Sequence, residues 1–143
     1  LAYDDTTFYT RLVSGEAAMV EAWDGWCNYG IAENPDIKFV VPKEGSDLWT
    51  DTMVILKSSK NKEAAHALIN YVLDAGTHQW VAENILYKVP NKPAMDAVGA
   101  GLAASYPNMG TTPAELLKEE GLLDLGEAGP SYTKIATEVT ASN

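Results

Sequence analysis

Three short apolar runs constrain the fold of this chain more than any other feature of its sequence. They cover residues 17–23 (AAMVEAW), 37–41 (IKFVV) and 52–56 (TMVIL). Short apolar runs bounded by turn residues are typical of buried strands. Because helical patterns alternate with these runs, the predicted fold class is α/β.

The helical patterns are recognised by apolar spacing and by capping residues. Helices are predicted at residues 6–13, 25–32, 61–72, 77–85, 113–119 and 131–139. Asn61 is expected to cap the third of them, and Trp80 and Val81 are expected to face inward from the fourth. Residues 89–93 (VPNKP) predict a stiff connector, and residues 93–104 have small side chains with weak periodicity.

Three strands make a thin sheet for 143 residues, because a typical sheet has about 5–6 strands. Connectors that contain proline, at Asn34-Pro35 and at residues 90–93, also separate the strands into two groups. This pattern indicates pieces of two lobes instead of one complete sheet. Since the sequence begins with Leu1 and has no charged-then-apolar leader, we expect a processed, truncated or partial chain.

The charge of the chain restricts its partners. It has 10 basic and 20 acidic residues, for a formal net charge of −10. Such a balance argues against nucleic acid and against anionic membrane surfaces, and it permits a cationic ligand. No apolar run reaches the roughly 18 residues needed to span a bilayer, so no membrane insertion is predicted. Cys27 is the only cysteine and is expected to be a small buried apolar residue.

Sequence patterns for enzymes and metal sites are weak. Residues 99–104 (GAGLAA) match a dinucleotide-binding motif in letters, but no strand precedes them, so a small-residue turn or helix is favoured. His66 and His78 lie twelve residues apart without partner ligands, and His66 is expected near the surface. No nucleophile motif is present. We therefore predict no enzyme, cofactor or metal, and keep an acidic interaction domain and then a small α/β enzyme as alternatives.

Aromatic and acidic residues stand together at the ends of the predicted strands. Trp23 and Asp24 follow the first strand, Trp49 and Asp51 precede the third, and Tyr87 ends the helix before Pro90. Aromatic faces attract an ammonium ion by about 0.5–2 kcal/mol, and a carboxylate adds a charge-assisted hydrogen bond. Strand ends are where open α/β sheets bind ligands. Packing of the tryptophans in a core is an equally good interpretation from these residues alone.

Several segments, in the same order along the chain, resemble the periplasmic spermidine/putrescine-binding proteins of ABC importers. The match favours the C-terminal half of such a protein, with a type II periplasmic-binding fold. The resembling segments are residues 12–17 (LVSGEA, the family's LxxGE), 23–25 (WDG, its WNGD or WAGD), 41–45 with 49–51 (VPKEG and WTD, its PKEG…WMD), 60–73 (its NKEAALKFINFLL), 82–91 (its AETIGYPTPN) and 106–107 (YP).

The resemblance implies roles for individual residues. Trp23 is expected to stack on the polyamine methylenes, Trp49 and Asp51 to supply a ring wall and a carboxylate, and Tyr87 to line the same cleft. Trp26 occupies the position of the acid in the WNGD turn, which leaves Asp24 as a candidate in its place. The stretch 121–124 (GLLD) lacks a glutamine that some members use as a ligand.

The resemblance also implies an organisation for the chain. Residues 1–33 end the second lobe, residues 34–92 belong to the first, and residues 93–143 return to the second, with the N-terminal half of the family fold absent. The implied function is polyamine binding as the extracytoplasmic receptor of an ABC importer, with an ABC permease as partner. The implied location is periplasmic, or lipid-anchored outside the cytoplasm.

Two further expectations follow, one from the changed WNGD turn and one from the missing half of the fold. Loss of the turn acid leaves open a related receptor for another solute, such as thiamine, ferric ion or a small organic ion. Uncovered sheet edges and apolar faces in an isolated half predict self-association.

Overall fold

The computed structural model describes residues 6–141. Within this part the chain is rich in helix and contains very little sheet. The helices are α1 (Phe8–Val13), α2 (Asp24–Glu33), α3 (Lys62–Val72), α4 (Ala75–Ile85), α5 (Lys92–Ser105), α6 (Pro113–Leu116) and α7 (Gly129–Ala141). Short 3₁₀ helices cover Pro107–Gly110 and Gly126–Ala128.

The described sheet consists of two strands, β1 (Asp47–Leu48) and β2 (Glu120–Gly121). They pair in parallel, with Asp47 opposite Glu120 and Leu48 opposite Gly121. Because the strands are far apart in sequence, this pairing joins a point one third of the way along the chain to its C-terminal third. None of its four residues was predicted as strand.

The three predicted strands are wrong in this structure. Residues 17–23, 37–41 and 52–56 contain no assigned strand. A strand is stabilised by hydrogen bonds to a neighbour, and these runs have no strand neighbour among residues 6–141. The predicted α/β class therefore holds only in the coarse sense of a mixed, helix-rich structure with a minimal parallel sheet.

The helix predictions agree better with the structure. The helices expected at 6–13, 25–32, 61–72, 77–85, 113–119 and 131–139 correspond to α1, α2, α3, α4, α6 and α7. Asn61 does occupy the N-cap position of α3, but its side chain makes no capping hydrogen bond. Cys27 is a buried free thiol and His66 is exposed, both as predicted.

The prediction missed α5 and the orientation of α4. Helix α5 contains the GAGLAA stretch, so the structure has a helix where residues 99–104 left a turn or a helix open. Asn91 caps α5, because its side chain accepts a hydrogen bond from the Ala94 amide at 3.0 Å. Trp80 is 59% exposed, so the expectation that it faces inward is wrong.

The core lies where α4 packs against α5. Its buried members are Ala82, Val89 and Ala94, surrounded by partly buried Val81, Met95, Val98 and Leu102. Small residues at the centre allow the two helices to approach closely. His78 and Ala82 are the buried residues of α4, and they define the face that Trp80 does not share.

Candidate functional site

The candidate site is an open groove of about 430 Å³. Four aromatic side chains, one carboxylate and one leucine line it. The lining residues are Trp23, Trp26, Trp49, Asp51, Tyr87 and Leu122. Four of the five residues expected to bind ligand, Trp23, Trp49, Asp51 and Tyr87, are therefore brought together.

The short parallel sheet positions one wall of the groove. Trp49 follows β1 directly, and Leu122 follows β2 directly. The Leu122 amide donates to the carbonyl of Leu48 at 3.1 Å, which extends the pairing up to the groove. A carboxylate oxygen of Glu119 accepts from the Ser46 amide at 2.8 Å and fixes the other end of the pair.

The turn after α4 positions Tyr87. Leu86 ends that helix in the left-handed conformation, with φ of 57°. Its carbonyl accepts a hydrogen bond of 2.7 Å from the side chain of the fully buried Asn28 in α2. The ring of Tyr87 lies directly on Gly25, where an added Cβ would overlap the ring carbons. Helix α2 thus orients the tyrosine through a buried hydrogen bond and a close backbone contact.

Tyr87 and Trp49 contact each other in the lining of the groove. Their ring centroids are 5.9 Å apart and the rings are inclined at 70°. This is the edge-to-face arrangement that aromatic pairs prefer. The two residues are 38 positions apart in the sequence. Their contact joins the segment after β1 to the turn after α4.

Tyr87 lies near two carboxylates, those of Asp24 and Asp51. Burial and then the nearby charge of Asp24 raise the pKa of Tyr87 to about 12, and Asp51 adds to the effect. A hydrogen bond with the backbone of Trp26 partly opposes this shift. Tyr87 is therefore a neutral phenol at neutral pH, able to donate and to accept hydrogen bonds. The two carboxylates that disfavour a phenolate would attract a cation at the same place, whereas burial disfavours both charges.

The second wall consists of Trp23 and Trp26, at the start of α2. Both pack edge-on against Phe8 of α1, with centroid separations of 6.3 Å and 5.9 Å. They nevertheless remain 47% and 40% exposed, because their other faces are open to the groove. Both residues therefore pack in the structure and also line the groove, and binding of a ligand by Trp23 stays a prediction.

Two lining residues escaped the sequence interpretation. The family resemblance marks Trp26 only as the loss of an acid from the WNGD turn, and Leu122 lies in the stretch 121–124 that lacks the glutamine. The repeated tryptophan in Trp23-Asp24-Gly25-Trp26 was the available signal for the first. Nothing in the local sequence of Leu122 indicates its position, which depends on the pairing of β1 with β2.

The two candidate carboxylates differ in their surroundings. Asp51 lines the groove, is exposed, and makes no ion pair or hydrogen bond to the residues the structure describes. Asp24 does not line the groove. It is the first residue of α2, and its side chain accepts a hydrogen bond from the Gly25 amide at 3.0 Å. The geometry thus makes Asp51 available to a ligand and turns Asp24 toward its own helix.

The remaining chemistry of the described part is limited. Between residues 6 and 141, no group of three histidine, cysteine, aspartate or glutamate side chains is placed to hold a metal ion. No helix in the same range has the length and apolar character needed to cross a membrane. Aromatic rings beside a carboxylate have the chemistry to attract an organic cation.

Comparison with known proteins identifies the family. The profile of the family described as bacterial extracellular solute-binding protein matches residues 4–107. The chain belongs to this family. The matched range includes every residue that lines the groove except Leu122.

Individual curated relatives make the resemblance more specific than the family description does. Over 99% of its length the chain is 31% identical to the spermidine/putrescine-binding periplasmic protein 1 of Haemophilus influenzae. It is 32% identical over 90% of its length to the spermidine/putrescine-binding periplasmic protein of Escherichia coli. A putrescine/cadaverine-binding protein of Pseudomonas aeruginosa is 35% identical over 72% of the chain. These matches confirm the resemblance predicted from the sequence motifs.

The relatives are considerably longer than this chain. It covers 39% of the Haemophilus protein, 37% of the Escherichia coli protein and 29% of the Pseudomonas protein. No solved structure gives a significant match to the chain.

Proposed function

We propose that the groove binds an ammonium group of a polyamine such as putrescine or spermidine. In this proposal the chain is part of the extracytoplasmic receptor of an ABC importer. The observation that carries it is the meeting of Asp51 with Trp23, Trp49 and Tyr87 in one open groove. The names of the polyamine-binding relatives support the same class of ligand.

In this proposal, charge and ring surface make separate contributions to binding. Asp51 supplies a charge-assisted hydrogen bond to the ammonium group. The tryptophan rings attract the cation through their quadrupoles and cover the methylenes of the ligand. The neutral Tyr87 phenol adds a polar contact without introducing a charge.

We further propose that the rest of the longer protein supplies the opposite wall. The groove is open to solvent, and the relatives extend far beyond the matched part. Closure of two lobes around the ligand would exclude water and strengthen each charge interaction. The division into residues 1–33, 34–92 and 93–143 remains part of this proposal. Residues 1–5 and 142–143 of the outer segments lie outside the described residues.

A fluorescence titration tests the ligand. The chain carrying Trp80→Phe, which removes an exposed tryptophan outside the groove, is titrated with putrescine and spermidine. Lysine and sodium chloride serve as controls. Asp51→Asn is expected to weaken binding by roughly tenfold or more, because a hydrogen bond to a charged group is worth about 1.5–3 kcal/mol.

The matched control is Asp36→Asn, an exposed aspartate in the turn after α2 and outside the groove. It should leave the affinity unchanged. Equal affinities of the Asp51→Asn and unaltered chains would contradict the proposal. Saturation by thiamine, ferric ion or a small organic ion, without response to polyamines, would instead support a receptor for another solute.

Location and assembly are further parts of the proposal. The periplasmic relatives support an extracytoplasmic location, lipid-anchored or free, with an ABC permease as partner.

Self-association of the chain is supported by apolar side chains exposed in residues 37–56, including Val54 at 77%. Sedimentation at micromolar concentration tests it, and Val54→Asp is expected to reduce it. A monomer at that concentration would contradict self-association.

A further inference from the structure

Leu122 is the aliphatic residue in the lining of the groove. Its side chain is 66% exposed, so most of its surface is available to a ligand. It carries neither a charge nor a hydrogen-bonding group. An apolar surface in this setting gains free energy when it is covered by the apolar part of a ligand, because both surfaces then leave water.

The main chain fixes the position of Leu122. Its amide donates to the carbonyl of Leu48 at 3.1 Å, and Leu48 stands opposite Gly121 in the strand pair. The next residues in the same register are Trp49 and Leu122, and both line the groove. The position of residue 122 therefore depends on backbone hydrogen bonds, and a substitution there changes the surface of the groove without removing them.

The charge of the groove is confined to one place beside this apolar surface. Asp51 lies two residues beyond Trp49, and it is the carboxylate among the lining residues that the structure describes. The acidic residues on either side of Leu122, Glu120 and Asp124, do not line the groove. The described lining thus offers a charged partner to one ammonium group and apolar surface to the rest of a ligand.

These surroundings treat two kinds of cation differently. A methylene chain that lies against Leu122 leaves water favourably, with a gain of up to about fourfold in affinity for each buried methylene. A second amine at the same place would lose water without a charged partner, which opposes binding. The difference depends on the side chain at position 122.

We propose that Leu122 is a specificity-determining residue for the ligand of this groove. It favours a cation in which one ammonium group is followed by an uninterrupted alkyl chain, over a cation of equal length whose chain is interrupted by a second amine. A diamine such as putrescine extends its second ammonium group past this surface. The inference rests on the proposed function and names the class of ligand within it.

The first test compares ethylammonium with n-hexylammonium by fluorescence titration of the Trp80→Phe chain. The longer cation should bind roughly tenfold more tightly, because the open groove covers part of its four additional methylenes. Leu122→Asn should weaken n-hexylammonium roughly threefold to tenfold and leave ethylammonium within about twofold. Leu123→Asn is the matched control, since this neighbouring leucine is 79% exposed and lies outside the groove. It should change neither affinity.

The second test compares n-heptylammonium with N-propyl-1,3-diaminopropane, which has the same length and a second amine within the chain. At about 0.15 M salt, which screens distant charges, n-heptylammonium should bind more tightly. Leu122→Asp places a carboxylate beside the second amine and should reverse this order. Leu123→Asp adds the same charge outside the groove and should not. An order that Leu122→Asp leaves unchanged would overturn the inference.

The proposed function and the role of Leu122 fail in different ways. Asp51→Asn should weaken ethylammonium and n-hexylammonium by the same factor, because both use the carboxylate, whereas Leu122→Asn should affect the longer cation alone. Equal binding of the two cations by the unaltered chain would overturn the inference and leave the role of Asp51 standing. Equal losses in Leu122→Asn and Leu123→Asn would do the same. Unchanged affinities in Asp51→Asn would instead contradict the proposed function, and a chain that bound neither these cations nor putrescine would contradict both.

Discussion

Two regions of the chain have apolar side chains in abundance but use them differently. In α2, α4 and α5, small and polar residues such as Asn28, Ala82 and Ala94 are completely buried. In residues 37–56, large side chains such as Val40 and Val54 are more than 70% exposed. Hydrophobicity therefore does not by itself determine which region of this chain packs.

The difference lies in how backbone hydrogen bonds are satisfied. A helix satisfies most of its own amides and carbonyls within one segment, without a distant partner. A strand leaves both edges unsatisfied until another strand pairs with it. The helical region is accordingly organised in this chain, while residues 37–56 contribute only the two residues of β1.

The groove lies where these two regions meet. Tyr87 belongs to the packed region, and Trp49 and Asp51 belong to the sparsely packed one. Variants that separate the two contributions therefore show which region fixes the site.

The largest effect is expected at Gly25. An added Cβ would overlap the Tyr87 ring, so Gly25→Ala should destabilise the chain by about 3 kcal/mol and displace the tyrosine from the groove. Urea unfolding followed by helical circular dichroism measures the change. Gly101→Ala in α5 is the control, since no atom lies within 4 Å of its added Cβ, and it should stabilise by about 0.5–1 kcal/mol. Equal effects of the two substitutions would contradict the close contact of Gly25 with Tyr87.

A smaller loss is expected from the buried hydrogen bond that orients the turn. Asn28→Ala leaves the Leu86 carbonyl without its 2.7 Å donor and should cost about 1–3 kcal/mol. Asn84→Ala removes a hydrogen bond to the Trp80 carbonyl at an exposed position of α4, and should cost less than about 0.5 kcal/mol. Both values come from urea unfolding. A loss at Asn84 as large as that at Asn28 would show that burial does not distinguish the two bonds.

An alkaline titration probes the packed side of the groove. The pKa of Tyr87 is raised from its ordinary 10.0 to about 12 in the folded chain. Between these values the unfolded chain loses the proton before the folded chain does, so stability falls as pH rises. Tyr87→Phe should remove part of this loss, whereas Tyr71→Phe, at a 68% exposed position of α3, should not. Identical stability curves for Tyr87→Phe and the unaltered chain from pH 9 to 12 would contradict the raised pKa.

The sequence predicted what is local and missed what depends on a distant partner. The helices α2, α3 and α4 follow from apolar spacing and turn residues over about ten positions each. The strands at 37–41 and 52–56 failed because pairing is a property of two segments. The same reasoning covers the site: Trp23 and Asp51 were recognised from their residue types, whereas Leu122 enters through the pairing of β1 with β2.

Asp24 illustrates the remaining limit. Its position beside Trp23 made it a candidate ligand, but no pattern in the sequence gives the direction of a side chain at a helix start. The structure directs its carboxylate to the Gly25 amide instead of the groove.

The smallest effect is expected in the region that lacks strand partners. Val54→Ala removes two methyl groups at a position that is 77% exposed, and the free energy of unfolding should change by less than about 0.5 kcal/mol. The same substitution at Val89, which is 9% exposed in the core between α4 and α5, should cost about 1–2 kcal/mol. Urea unfolding at a low protein concentration measures both, so that association does not contribute. Equal losses at the two valines would mean that residues 52–56 bury as much apolar surface as the helical core. The comparison between the regions would then fail. A loss at Val54 that grows with protein concentration would instead indicate that a second copy covers this segment, because association stabilises the folded chain by mass action.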